Sequence, residues 1–258
     1  MILRRWLWVY ATIIMAWLIL PTLVIVPIAF SSEASFNFPP KGFSLQWFEN
    51  AFTDPTWLQA MGNSIVVALL TTVIATALGT AAAFGLRAFR WKGKSFIENA
   101  LLTPLIVPSV VLAIGIYSVF LRFGLLGSLP GFVAAHTVLA LPLVIVNVAA
   151  SLQGYDNNLS LASASLGTGP AETFLRVTLP LIAPGVAAGA LFAFVTSFDE
   201  VVLSLFIQSP TLQTLPVKIF RSVTQNTDPT VAAVAVLMLI VTTSLILLLQ
   251  FGGRKKTS

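Results

Sequence analysis

The chain has 258 residues, 57% of them hydrophobic and 9% charged, with a formal net charge of +5 and a mean hydropathy of +0.94. Apolar content at this level excludes a soluble globular domain. The absence of cysteine excludes disulfides, thiol catalysis and thiolate metal sites.

Along the chain, six apolar runs reach the ~20 residues that a helix needs to cross a ~30 Å hydrocarbon core: 7–30, 63–86, 100–121, 131–152, 181–207 and 230–251. None alternates with the two-residue period of a barrel strand. The expected fold is an all-α membrane protein with six transmembrane helices, forming one domain over 1–258. Arg4-Arg5 ahead of the first run imitates a secretory leader. That run is too long for a leader's apolar region and no small-residue cleavage site follows, so it is expected to persist as span one.

Basic residues orient the spans. One set of connecting segments holds Arg4, Arg5, Arg87, Arg90, Lys92, Lys94, Arg176, Arg254, Lys255 and Lys256, ten of fourteen; the other holds Lys41, Arg122, Lys218 and Arg221. The positive-inside rule then puts both termini of this multi-pass membrane protein in the cytoplasm. The basic balance reflects this topology, and nucleic acid is not expected as a partner.

The outer segment 31–62 is rich in Phe, Pro and Trp, among them Phe36, Phe38, Trp47, Phe48 and Trp57. A belt at the lipid interface and a docking surface both fit such aromatics. The inner segment 87–95 contains Ala88 to Ser95, which matches a relaxed phosphate-loop pattern with alanine for the first glycine. A phosphate loop needs a strand before it and a helix after it. This stretch leaves a membrane span, so no nucleotide site is expected there. His136 near the outer end of span four has no acidic or cysteine partner nearby and reads as a packed residue. No catalytic constellation can be assembled, and the chain is not expected to be an enzyme.

The most informative stretch is the polar interruption at 156–180 between spans four and five. Asp156, Asn157 and Asn158 offer N-cap oxygens to one short helix, and Gly167 is placed to end it. Gly169 can cap a second helix, with Pro170 at its first position and Glu172 near the positive end of its dipole. In span five, Gly185 and Gly189 form a Gly-x-x-x-Gly that lets another helix approach closely. Asp199 and Glu200 fall in the outer part of the same span, flanked by Phe198 and Val201, with Thr196 on their face. Intramembrane carboxylates line a cavity, a pathway or an ion pair. Thr196, Phe198, Asp199 and Glu200 are therefore expected to line a path for a cation, the alternative being charges at the outer interface.

Ala162, Gly167 and then Leu179-Pro180, followed by Leu181 to Gly185, resemble the EAA signature of permease subunits in bacterial ABC importers. Ser197 to Val202 and Thr214 to Val217 are similar to the spermidine/putrescine subclass, and with the six spans the likeness covers nearly the whole chain. The resemblance implies the type I, MetI-like permease fold, with coupling helices at about 156–179. It implies a second permease subunit, two ATP-binding subunits that hold ATP and Mg, an external solute-binding protein, and no cofactor on this chain. Coupling to the ATPase would involve Leu161, Ala162, Ser163, Leu166, Gly167 and Pro180. Leu161 stands where the signature has glutamate and Ser163 where it has its second alanine, so any contact made by that acid must come from elsewhere. Polyamines fit the subclass and the acidic pair; related importers carry aminobutyrate, opines, organophosphonates or ferric iron. An ion-coupled secondary transporter is the other transport class, but no internal repeat is evident.

Overall fold

The computed structural model describes residues 2–88, 92–225 and 229–252, and every described element is helical apart from one isolated bridge, Ser31 with Phe43. In order these are α1 (Ile2–Ala29), α2 (Gln46–Thr53), α3 (Pro55–Ala88), α4 (Lys94–Leu102) and α5 (Ser109–Phe123). Then come α6 (Leu129–Gln153), α7 (Asn157–Ser165), α8 (Pro170–Thr173), α9 (Leu179–Phe198), α10 (Val202–Ile207), α11 (Leu215–Gln225) and α12 (Thr230–Gly252). Five helices among the described residues are long and apolar enough to cross a membrane, or six if α4 and α5 form one bent span. Arg90, Arg254, Lys255 and Lys256, used above to orient the chain, lie outside the described residues, as do Phe89 and Trp91 of the phosphate-loop-like stretch.

The chain divides into two compact units, Met1–Ala60 with Val217–Thr243, and Met61–Pro216 with Ser244–Ser258. In the first, Ile28, Ala29, Ala232, Ala233 and Val236 form a buried cluster backed by Trp47 and Phe48. Trp47 Nε1 donates to the Ser31 carbonyl at 2.7 Å, and Asn50 Nδ2 donates to Thr230 Oγ1 at 2.8 Å. The aromatic segment is thus partly folded, and Trp57 is buried with the Lys218 ammonium 4.6 Å from its ring centre. Most of α1 is left bare, with Trp17 78% exposed. Such a surface would aggregate in water, whereas in a bilayer lipid covers it at no cost.

The second unit is organised around α6 and α9. Ala75, Ala83, Ala140, Val144, Val148, Leu152, Ile182 and Ala193 form one core cluster. A Cβ at Gly185 would lie 2.0 Å from Ser151 Oγ and 2.8 Å from the Asn147 carbonyl oxygen; at Gly189 it would lie 3.1 Å from Val144 Cα. The Gly-x-x-x-Gly is therefore the seam along which the two helices touch. A second cluster joins α3, α5, α6 and α10 through Val67, Ala113, Phe132, Ala135, Leu203 and Ile207.

Three spans differ from expectation. Span two begins at Pro55, with Asp54 Oδ1 accepting from Thr56 N at 2.7 Å, so its helix reaches back into the supposed outer loop. Span three, expected over 100–121, is bent by 103° between α4, with its 3₁₀ turn Thr103–Leu105, and α5. Pro104 and Pro108 cause this, because a proline cannot donate to the helix ladder and disfavours helical backbone in the residue before it. Span five, expected over 181–207, starts earlier and ends at Phe198, and α10 follows a three-residue break.

Candidate functional site

The segment before span five folds as the caps predict. Asp156 Oδ1 accepts from Asn158 N at 2.9 Å and starts α7. Gly167 stands at φ +84° beyond its end, its N–H bonded to the Ala164 carbonyl at 2.9 Å. Pro170 opens α8, and Glu172 in its first turn pairs with Arg176 at 3.1 Å. That exposed pair adds only ~0.2–0.5 kcal/mol. The second short helix is not a separate element. One π-helical turn, Phe174–Thr178, carries α8 straight into α9, so Pro170–Phe198 is a single 29-residue rod. The wide turn fits Pro180 and Pro184 downstream, each of which removes a donor from the ladder.

Ser163 supplies something an alanine would not. Its Oγ lies 2.5 Å from Thr168 Oγ1 and 3.1 Å from Thr173 Oγ1, and the two threonine oxygens are 3.0 Å apart. Three hydroxyls thereby lace the end of α7 to α8 across the Gly167 turn. Ala162, Leu161 and Leu166 are exposed, the last at 86%, and Pro180 is exposed in the first turn of α9.

Sequence reasoning reads Arg87 only as an inside anchor and gives Tyr155 no role; the structure makes both part of this element. The Arg87 guanidinium donates to the carbonyls of Leu152 and Tyr155 and to Asn157 Oδ1, and lies 5.6 Å from the Tyr155 ring centre. It thus satisfies carbonyls left open where α6 ends. Tyr155 Oη lies 2.5 Å from Ser160 Oγ and 3.1 Å from Thr178 Oγ1. The end of α3, the end of α6, α7 and the π turn are tied at one point. An arginine at a span's end, facing a polar turn, was the available signal. Arg87→Ala is expected to lower uptake at least tenfold, and Arg87→Lys to rescue it poorly, because an ammonium lacks the planar fork. Equal uptake in the two variants and the parent protein would remove Arg87 from the coupling element.

The acidic pair sits in the break after α9. Asp199 closes that helix and is exposed; its carboxylate makes no hydrogen bond or ion pair among the described residues. Glu200 is half-buried, and its Oε1 accepts from Leu203 N at 2.8 Å, capping α10. The helical face expected to join Thr196 to both acids therefore stops at Phe198. Thr196 is half-buried, and Phe198 is only 5% exposed, stacked on Phe194 at 5.4 Å. Phe198 is a core residue here and offers no open face. His136 is fully buried with Nδ1 2.8 Å from Ser197 Oγ and Nε2 3.0 Å from Ser204 Oγ. No group of three potential metal ligands occurs among the described residues. A groove of about 900 Å³ runs beside α3, the π turn and α9, lined by Thr72, Thr76, Thr80, Phe84, Phe174 and Val186.

Residues 75–256 match the family described as binding-protein-dependent transport system inner membrane component. The chain belongs to this family. It is 30% identical over 249 residues to the spermidine/putrescine transport system permease protein PotC of Escherichia coli K12, covering 96% of this chain and 94% of the relative. It is 31% identical over 208 residues to the putrescine transport system permease protein PotI of the same strain, covering 77% and 73%. Among solved structures, one chain of a bacterial ABC transporter involved in the import of the acidic polysaccharide alginate superposes with a TM-score of 0.74 at 13% identity, covering 99% of this chain and 97% of that one. A chain of the MetNI methionine ABC transporter gives 0.59 at 18% identity over 78% and 95%. The fold is thus that of ABC importer permeases, and the inner-membrane component family accounts for its apolar helices.

Proposed function

We propose that this permease is one of two membrane subunits of an ATP-driven importer for a polyamine such as spermidine or putrescine. The observation that carries this reading is the likeness to a spermidine/putrescine permease along 96% of the chain. Two ATP-binding subunits hold Mg and ATP, an external binding protein delivers the solute, and both termini face the cytoplasm. The segment 156–179 docks on an ATPase subunit, and this chain holds no cofactor. In place of an acidic side chain it offers the exposed Leu161 and Leu166, so the contact buries apolar surface.

The laced hydroxyls and the continuous rod from Pro170 to Phe198 support a lever: a push on α7 reaches the far end of span five without dissipating in a loop. That far end carries Asp199, whose carboxylate is available to a passing ammonium. The groove beside α3, the π turn and the first part of α9 is mostly apolar and gives the solute no charge on which to lodge.

Proteoliposomes holding the full complex test this. Uptake of labelled spermidine must require ATP and the ATPase subunits; uptake that survives their omission and collapses with a proton uncoupler ends the importer reading. Asp199→Asn is expected to slow uptake per assembled transporter about tenfold, equivalent to ~1.4 kcal/mol of lost attraction. Glu200→Gln keeps an acceptor for Leu203 N, so any slowing there measures charge alone. Normal rates in both variants would make the pair interfacial charges.

A further inference from the structure

We propose that His136 is a positioning residue for the acidic elbow: by tying Ser197 to Ser204 it sets where Asp199 faces the solute. This rests on the reading of Asp199 as a contact for a cation. The one local signal for a break at residues 199–201 is the Glu200 carboxylate, which caps α10 through Leu203 N. These residues are Asp, Glu and Val, with neither glycine nor proline, and Asp199 (φ −94°, ψ 0°) and Val201 (φ −103°, ψ −48°) each lie ~40° from the ideal helix in one dihedral while staying in the right-handed region. A glutamate cap starts α10 but does not fix its angle to α9, so tertiary contacts select the bent form.

The imidazole is the contact that reaches both sides. Ser197 lies in the last turn of α9 and Ser204 in the first turn of α10, and one ring bonds both, at 2.8 and 3.0 Å. On an unbroken helix, serines seven residues apart stand ~10.5 Å apart along the axis, a poor match to a single ring. The two bonds accordingly select the bent form. A neutral imidazole has one donor and one acceptor, and a hydroxyl can serve either, so both nitrogens are satisfied in either tautomer. A buried ring that lost a partner would be left with an uncompensated polar atom, which holds the clamp shut. Between the two anchors, Glu200 is engaged with Leu203 N, leaving Asp199 as the free carboxylate whose aim the clamp decides.

The test is a double-mutant cycle in the complete transporter, with spermidine as the probe and rates taken per assembled complex. His136→Phe keeps an aromatic ring and drops both bonds; Ser204→Ala drops one with little change in volume and carries the cycle if the first variant fails to assemble. Each is expected to lower kcat/KM about fivefold, and to cost nothing further in the Asp199→Asn background, where the group being aimed is already gone. Because the chain has no cysteine, Asp199→Cys supplies its sole thiol; adding Ser204→Ala should shift the rate of labelling by a charged thiol reagent about threefold, a readout of geometry independent of transport. Penalties that multiply with Asp199→Asn, or a labelling rate that does not move, overturn the clamp while leaving the cation reading intact. Normal uptake by Asp199→Asn alone overturns both.

Discussion

Gly185→Leu is expected to leave no folded subunit in the membrane. A Cβ at this position would meet Ser151 Oγ at 2.0 Å, Ser151 Cβ at 2.6 Å and the Asn147 carbonyl oxygen at 2.8 Å. The serine can turn aside, but the carbonyl belongs to the α6 backbone, so even alanine forces the helices apart. Overpacking of that size costs ~1–3 kcal/mol. Leucine adds three further carbons to the same seam and separates α6 from α9 along the core containing Val144, Val148 and Ile182. Lipid is as apolar as that core, so close packing, not hydrophobicity, holds two such helices together. The check is the yield of monodisperse detergent-solubilised protein, with Gly115→Leu as control, since nothing lies within 4 Å of a Cβ there. Equal yields for the two would show that the seam is not closely packed in the membrane.

What the sequence made legible follows from how local each determinant is. The cap at Asp156, the turn at Gly167 and the start of α8 at Pro170 were readable because each is decided within four residues by side-chain chemistry or by φ. Membrane spans were readable because solvation sums over a window. The same summing hid the bend near Pro104 and Pro108, since apolar residues continue through it. The break after Phe198 was illegible for a different reason: its own residues signal it only through the Glu200 cap, and the ring that selects it comes from α6, 61 residues earlier than Ser197. Arg87 and Tyr155 were missed likewise, because their partners lie 65 to 70 residues off or on another element. The departure of Ser163 from the family signature was visible in the sequence, but its meaning was not: the hydroxyl matters through Thr168 and Thr173, on the other side of a turn.

Gly167→Val is expected to separate ATP hydrolysis from uptake. The glycine sits at φ +84°, where an L-residue loses roughly 1–2 kcal/mol and a β-branched one more. Nothing lies within 4 Å of a Cβ there, so the substitution creates no clash and acts through the backbone alone. Relief comes by unwinding the turn, which pulls Thr168 from the Ser163 carbonyl and opens the three-hydroxyl lacing. α7 would still be present to dock, through Leu161 and Leu166, but would no longer be fixed to the rod that begins at Pro170. ATPase activity of the complex should then persist while solute moved per ATP falls at least tenfold. Gly167→Asn tests the cause, because asparagine tolerates the left-handed region and should retain most coupling. If valine and asparagine behave alike, or if hydrolysis and uptake fall together in the valine variant, the turn is not what transmits the stroke.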